Sequence, residues 1–285
     1  MGKRTRIILE YVWCDSNGVS SKTMIIPATI ANPKSWDIKN DVSWIPQWNV
    51  DIIHGVNKKL IPIYWCFDPF RKDICRSGDT VCIIVLCNTD ERNIEYERIK
   101  ATLKKEKNYD KLISIIQKYM ITNKSRVPSH HISKIAEQHF WYCIDAGLSI
   151  SEVNANRYPN QPEYKIGLCK GIDIANQVTI SKYIMERLVG EKYNGYSIRW
   201  SSLDEYWGCH ISYISNSSIV FKQVGIETIW QCEHNAIQKS IQQLTIPMLQ
   251  TNYKSRFFNS PYKALDNLHD IEIIKTFTSS SNISR

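Results

Sequence analysis

The chain has 285 residues and 43% hydrophobic content, enough for one large domain or two ordinary ones. No apolar run approaches the ~18 residues of a membrane span, and the basic start (Met1 to Arg6) leads into a strand-like stretch with Glu10 and Asp15. The expectation is a cytoplasmic protein with no membrane partner, and its formal charge of +8 reads as a solvated basic surface, because no recognised nucleic-acid module accompanies it.

Residues 6–15 are rich in β-branched and aromatic types, Ser16-Asn17-Gly18 supplies a turn, and Lys22 to Ile26 begins a second strand, so the chain opens on a hairpin. Pro33 to Pro69 is rich in proline and tryptophan and reads mostly as loops. Its tryptophans (Trp36, Trp44, Trp48, Trp65) are expected in a local core. Thr80 to Cys87 has the length and composition of a buried strand. Glu91, Glu95 and Glu97 read as a solvated helix start. Ser133 is placed to cap a helix through Ile135, Phe140, Cys143 and Ile144 that Gly147 ends. Leu148 to Val153 and Glu163 to Cys169 read as strands. Asp173 is placed to cap a long helix with Ile174, Val178, Ile184 and Leu188 on one face. Tyr196 to Trp200 and Ile211 to Ile214 read as strands, and Ile226 to Leu244 as a second long helix. Strands interleaved with helices predict an α+β fold. A boundary near residues 88–92 divides an N-terminal domain (1–90) from a larger one (91–278), and 279–285 is expected to be a disordered tail.

Nine cysteines lack a CxxC pair and mostly sit in apolar stretches, as in Val81 to Cys87, which points to buried free thiols. No zinc-ligand spacing and no Gly-x-Gly-x-x-Gly or P-loop is present. His130-His131 beside Pro128 reads as a surface pair. His54 and His139 have no partner that the sequence identifies.

Asn154-Ala155-Asn156-Arg157-Tyr158-Pro159-Asn160-Gln161-Pro162-Glu163-Tyr164-Lys165-Ile166-Gly167 resembles the Asn-Ala-Glu-Val-x-Pro-x-Gln-Trp-Glu-x-Gln-x-Gly stretch of glutamine synthetases. Further anchors follow the same order. Ile8 to Trp13, with Asp15, Gly18, Lys22 and Thr23, resembles the opening strands of the eukaryotic-type enzymes. Pro46-Gln47-Trp48-Asn49-Val50-Asp51 is similar to their Pro-Glu-Trp-Asn-Tyr-Asp, and Asp68-Pro69-Phe70-Arg71 to their Asp-Pro-Phe-Arg. Glu137-Gln138-His139 through Asp145-Ala146-Gly147 resembles the helix before the Asn-Ala-Glu motif, and Gly208-Cys209-His210 the family's Gly-Cys-His. The resemblance implies a small N-terminal β-grasp-like domain and a larger domain on a curved antiparallel sheet with flanking helices. The family's last glutamate ligand lies in an Arg-rich strand that this sequence does not reach by Arg285, so the larger domain is expected to be incomplete at its C-terminus.

The resemblance also implies which positions once held divalent cations. The family's Met-Glu-Gln-Glu-Tyr strand matches Ile115-Ile116-Gln117-Lys118-Tyr119, so its two metal-binding glutamates are Ile116 and Lys118. The Asn-Ala-Glu glutamate is Asn156. Glu163 and His210 are retained. Hard dications want several oxygen ligands in a near-octahedral array, and a lone carboxylate or histidine binds them poorly. Lys118 is expected to pair with Glu163 and to stand in for the metal charge. Asp204-Glu205-Tyr206-Trp207 replaces the family's Asn-Gly-Ala-Gly with bulk. Asp51 alone remains of the Asp-Gly-Ser-Ser turn that faces a neighbouring subunit.

These substitutions imply a pseudoenzyme with a structural or partner-binding role, through self-association or another protein chain. No cofactor is expected. ATP with Mg²⁺ or Mn²⁺ enters only if activity is retained. Two other readings stay open: an active glutamate–ammonia ligase, and a regulatory decoy that joins a true glutamine synthetase ring.

Overall fold

The computed structural model describes residues 6–15, 18–29, 41–52, 56–75, 79–105, 112–123, 127–155, 162–200, 209–215 and 218–220. Strands β1 (Arg6–Asp15) and β2 (Gly18–Pro27) form the predicted hairpin, with Asp15 opposite Gly18. Strand β3 (Trp48–Ile52) pairs with β4 (Val56–Phe67), so the region read mostly as loops contributes two strands. Its prolines and tryptophans concealed the apolar run through Leu60, Ile61, Ile63 and Tyr64. Strand β5 (Thr80–Asn88) runs parallel to β1 and antiparallel to β4, giving a mixed sheet in the order β2-β1-β5-β4-β3.

Strand β5, at the centre of this sheet, is buried on both faces, which is why it reads as a continuous apolar run rather than an alternation. Ile7, Leu9, Tyr11 and Trp13 of β1 join Val81, Ile83 and Val85 of β5 in one core, closed by Trp44 and Trp65 with ring centres 5.9 Å apart. The Tyr11 hydroxyl donates to the Pro46 carbonyl at 2.8 Å. Trp36 lies outside the described residues. The opposite face presents Val12, Ile63, Tyr64, Cys66, Ile84 and Leu86 to the core formed by the rest of the chain.

On that second face Glu10 interrupts the apolar pattern, and its carboxylate is held by both arginines of a buried charge cluster. Arg71, in the loop before the short helix α1 (Lys72–Cys75), donates to Glu10 and, at 2.6 Å, to Asp68. Arg187 reaches the same two carboxylates from the later helix α4 (Asp173–Lys192), at 3.2 Å and 3.5 Å, while the Tyr183 hydroxyl donates to Glu10. The Arg187 guanidinium also lies 4.2 Å from the centre of the Phe70 ring. Burial alone would push the Glu10 carboxyl up. The Tyr183 hydroxyl, then Arg187 and Arg71, outweigh it and hold the group below the usual carboxylate range. A depressed folded-state pKa stabilises the fold above the unfolded value and loses that contribution as pH falls through the folded one.

Helix α2 (Asp90–Lys105) follows, with Tyr96 and Ile99 buried and Glu97 exposed. Strand β6 (Leu112–Lys118) leads to β7 (Met120–Asn123), and helix α3 (Ser129–Asp145) to β8 (Ile150–Asn154). Strand β9 (Glu163–Lys170) precedes α4, and β10 (Tyr196–Arg199), β11 (Cys209–Ser215) and β12 (Ser218–Val220) complete the described chain. The second five-stranded sheet is antiparallel, in the order β12-β11-β6-β9-β8, and β7 pairs with β10. A mixed sheet, a curled half-barrel and a few helices make this an α+β fold. The predicted helix 226–244 and the tail 279–285 lie outside the described residues.

Two predicted caps are corrected. Helix α3 starts after Pro128, an extended residue at its N-cap, and Ser133 sits inside the helix, its hydroxyl donating back to the Ser129 carbonyl at 3.3 Å. Asp173 is the first residue of α4 rather than its cap, which is Ile172. There its charge favours the helix N-terminus without a capping bond. Gly147 ends α3 as expected: at φ 75° it lets Leu148 N–H reach the Cys143 carbonyl and its own N–H the Ile144 carbonyl, both at 2.9 Å. Among the described residues, no helix is long and apolar enough to cross a membrane.

Removing Arg187 leaves two buried carboxylates with one cation. Arg187→Ala is expected to lower unfolding free energy by about 3–5 kcal/mol, read from urea denaturation at neutral pH.

Candidate functional site

The sites singled out in the sequence converge on one sheet. Along β6, Ile113, Ile115 and Gln117 are buried at 3% exposure or less, and Tyr119, just beyond, is fully buried. These odd positions face the core under α3 and α4. Strand alternation sends Ser114, Ile116 and Lys118 to the other face. On β9, Tyr164 and Ile166 fill the same core, so Glu163 and Lys165 share the face of Ile116 and Lys118.

Register specifies the neighbours. Lys118 stands directly opposite Glu163, and Glu163 opposite Asn154 of β8. Ile116 stands opposite Lys165 on one side and at the register position of His210 on the other. Lys165 stands opposite Glu152, and its ammonium lies 2.7 Å from the Glu152 carboxylate. Glu163 is 8% exposed. Only the backbone of His210 and of Asp51 falls within the described residues. Asp51 sits on β3 opposite Asn57, in the other sheet from Glu163. Asn156 lies outside the described residues.

The β6–β9 ladder contains a bulge that sets this register. Ile113 pairs with Cys169 but Ile115 pairs with Ile166, so Gly167 and Leu168 together oppose Ser114. Gly167 has φ 126°, and a Cβ there would come within 2.6 Å of the Ser114 Cα. The last glycine of the motif is thus needed where two backbones touch.

Beneath the sheet, His139 is fully buried, with its ring centre 4.7 Å from that of Tyr164. With the proton on Nε2 it donates to the Ser181 carbonyl at 3.0 Å, beside the Ser181 hydroxyl at 3.1 Å and Cys143 Sγ at 3.3 Å. Burial pushes the imidazole down to about 4 despite the Ser181 carbonyl, and pushes the Cys143 thiol up to about 12. A buried neutral imidazole beside an un-ionised thiol is a core contact with no nucleophile in it. His131, by contrast, accepts or donates through Nδ1 to the Tyr196 hydroxyl at 2.6 Å, and its neighbour His130 is exposed.

Comparison with known proteins agrees with the motifs. A glutamine synthetase of Debaryomyces hansenii is 24% identical over 255 residues, covering 76% of this chain and 65% of the relative. One of Saccharomyces cerevisiae is 25% identical over 248 residues, with 74% and 63% covered. An Acanthamoeba polyphaga mimivirus protein, whose name also includes glutamine synthetase, is 29% identical over 250 residues, with 74% and 67% covered. The chain is similar to glutamine synthetases, at 24–29% identity over about three quarters of its length. No family model matches it. The chain spans just under two thirds of the length of the two yeast enzymes.

The described residues on this sheet face do not make a donor set that fits a hard dication. Ile116 offers no donor, Lys118 stands at the register position opposite Glu163, and Glu152 is already engaged by Lys165. Among the described residues, no group of three His, Cys, Asp or Glu side chains is placed to hold a metal ion. Sequence reasoning missed Lys165 and Glu152. The signal was present in the motif, where Lys165 stands in place of the family's glutamine two residues after Glu163, but its meaning depends on the register with β8.

Two measurements follow from this geometry. Gly167→Ala forces Ser114 and β6 to move and is expected to cost roughly 1–3 kcal/mol in chemical denaturation. Between about pH 4 and 6.5 the unfolded chain protonates His139 and the folded chain does not, so stability falls on acidification through that window. His139→Gln is expected to flatten this dependence by up to about 1.4 kcal/mol per pH unit, measured as denaturation midpoints across the window.

Proposed function

We propose that this chain keeps the glutamine synthetase scaffold without glutamate–ammonia ligase activity, and that it serves as a structural or partner-binding subunit. The observation that carries the reading is the placement of Ile116 and Lys118 on the sheet face of Glu163, with Lys118 directly across from it. Making γ-glutamyl phosphate from ATP requires cations that offset charge on the transferred phosphoryl group. A lysine opposite the retained carboxylate competes with any dication for that carboxylate, and the neighbouring isoleucine coordinates nothing. ATP, Mg²⁺ and Mn²⁺ are therefore not cofactors in this reading.

The partner-binding half of the proposal draws on what is retained. The mixed sheet has the strand order and single parallel pair that suit the β-grasp-like domain implied by the resemblance. Trp13, Trp48, Asp68 and Arg71 all take part in its packing or in its charge cluster. The scaffold's own cohesion is thus built from residues the family motifs supply, whereas the sheet face with Glu163 departs from them. Self-association or binding to another protein chain uses the first set and needs none of the second.

Glutamine formation from glutamate, ammonia and ATP, and γ-glutamyl transfer with Mn²⁺, are expected at background level for the full chain. Isothermal titration is expected to give no heat for Mn²⁺-ATP. Sedimentation velocity is expected to show a defined oligomer or co-sedimentation with a partner chain. Turnover above background in either assay overturns the reading.

A further inference from the structure

We infer that two cross-strand ammonium–carboxylate pairs, Lys118 with Glu163 and Lys165 with Glu152, have taken over the charge neutralisation that bound dications would supply on this sheet face. The inference rests on the absence of ligase chemistry proposed above and deepens it, because it names what replaced the metal.

The four residues form a checkerboard. Directly opposite positions bring side chains to about 4.5–5.5 Å between Cβ atoms, and diagonal positions to roughly 7–8 Å. Lys118 is the register partner of Glu163 and Lys165 that of Glu152, so each directly opposed pair carries opposite charges. The two lysines are diagonal to one another across β6 and β9, and so are the two glutamates across β9 and β8. Two positive and two negative groups leave the set neutral. The Lys165–Glu152 pair is formed at 2.7 Å, with Lys165 three-quarters covered.

Each substitution makes sense only with its neighbour. With a carboxylate at position 118, as the family strand has, two carboxylates would stand opposite one another and repel unless a cation lay between them. A lysine at 118 removes both the repulsion and the need for the ion. Glu163 is 8% exposed, so water balances little of its charge, and Lys118 is the cation at the register position directly across the strand. Lys165 extends the same logic one residue pair along β9, where the motif's neutral glutamine is gone and Glu152 on β8 supplies the partner.

A charge-swap cycle on the full chain tests this. Lys118→Glu and Glu163→Lys are each expected to lower Tm by about 2–4 °C, because each puts like charges opposite one another. The double swap, K118E with E163K, is expected to recover most of the loss. Lys165→Glu and Glu152→Lys are expected to behave the same way with a smaller amplitude, since Glu152 is 64% exposed. Wild-type Tm is expected to be equal in EDTA and in excess Mn²⁺. Should the singles leave the chain unfolded, Lys118→Met and Glu163→Gln replace them, with the loss in the double smaller than the sum of the singles. Additive losses, or a wild-type chain that Mn²⁺ stabilises, overturn the inference. Glutamine formation by the wild type would instead overturn the functional reading, so the two failures carry different signatures.

Discussion

One constraint orders the second half of this protein: the alternation of β6. Ile113, Ile115, Gln117 and Tyr119 are all buried, the three apolar ones in the core that Tyr164 and Ile166 of β9 also fill. A slip of one residue would bury Lys118 and expose Tyr119, at a cost in both charge and apolar area far beyond what a few cross-strand contacts supply. Ile116 and Lys118 are therefore obliged to share a face, and the bulge at Gly167 then decides which residues of β9 they meet. The site is a consequence of how the core is filled from below.

The first half of the chain shows the opposite use of charge. The central strands of its sheet are buried among apolar side chains on both faces, and Glu10 interrupts that pattern in the middle of β1. Isolated, a buried carboxylate would be severely destabilising. Here Arg71 and Arg187 approach it from two different parts of the chain, and Tyr183 and Asp68 complete the set. Such a cluster is selective in geometry, because any other packing of α4 on the sheet would strand charge in an apolar layer. It ties the Asp-Pro-Phe-Arg stretch to a helix more than a hundred residues later. The motif that identifies the family in sequence is, in space, half of a joint whose other half no local motif announces.

Much of the architecture was readable from local pattern. The hairpin, β5, α3, β9 and α4 have strong periodicity or clear termini, and they lie within a few residues of the expected positions. What escaped were elements whose signals conflict. Strands β3 and β4 hide among prolines and tryptophans, β7 is four residues long, and Ser133 imitates a cap although Pro128 already starts the helix. Ser and Asp serve both as caps and as first-turn residues, and only the carbonyls around them distinguish the two. His139 had no partner in the sequence because its partners, Ser181 and Cys143, are set by how α3 packs on α4.

The sequence by itself carried the resemblance to glutamine synthetases and the chemical character of each position that departs from it: a lysine and an isoleucine where the family has carboxylates, and a retained Glu163. These follow from residue identity and order, which motifs record directly. The tertiary structure alone decided the other pairings. Lys118 opposite Glu163 is already expected from the motifs, whereas Lys165 matched by Glu152 and Arg187 completing the cluster at Glu10 depend on strand register and helix packing. Those are settled by the burial of many side chains at once, a sum over distant parts of the chain that no local stretch contains.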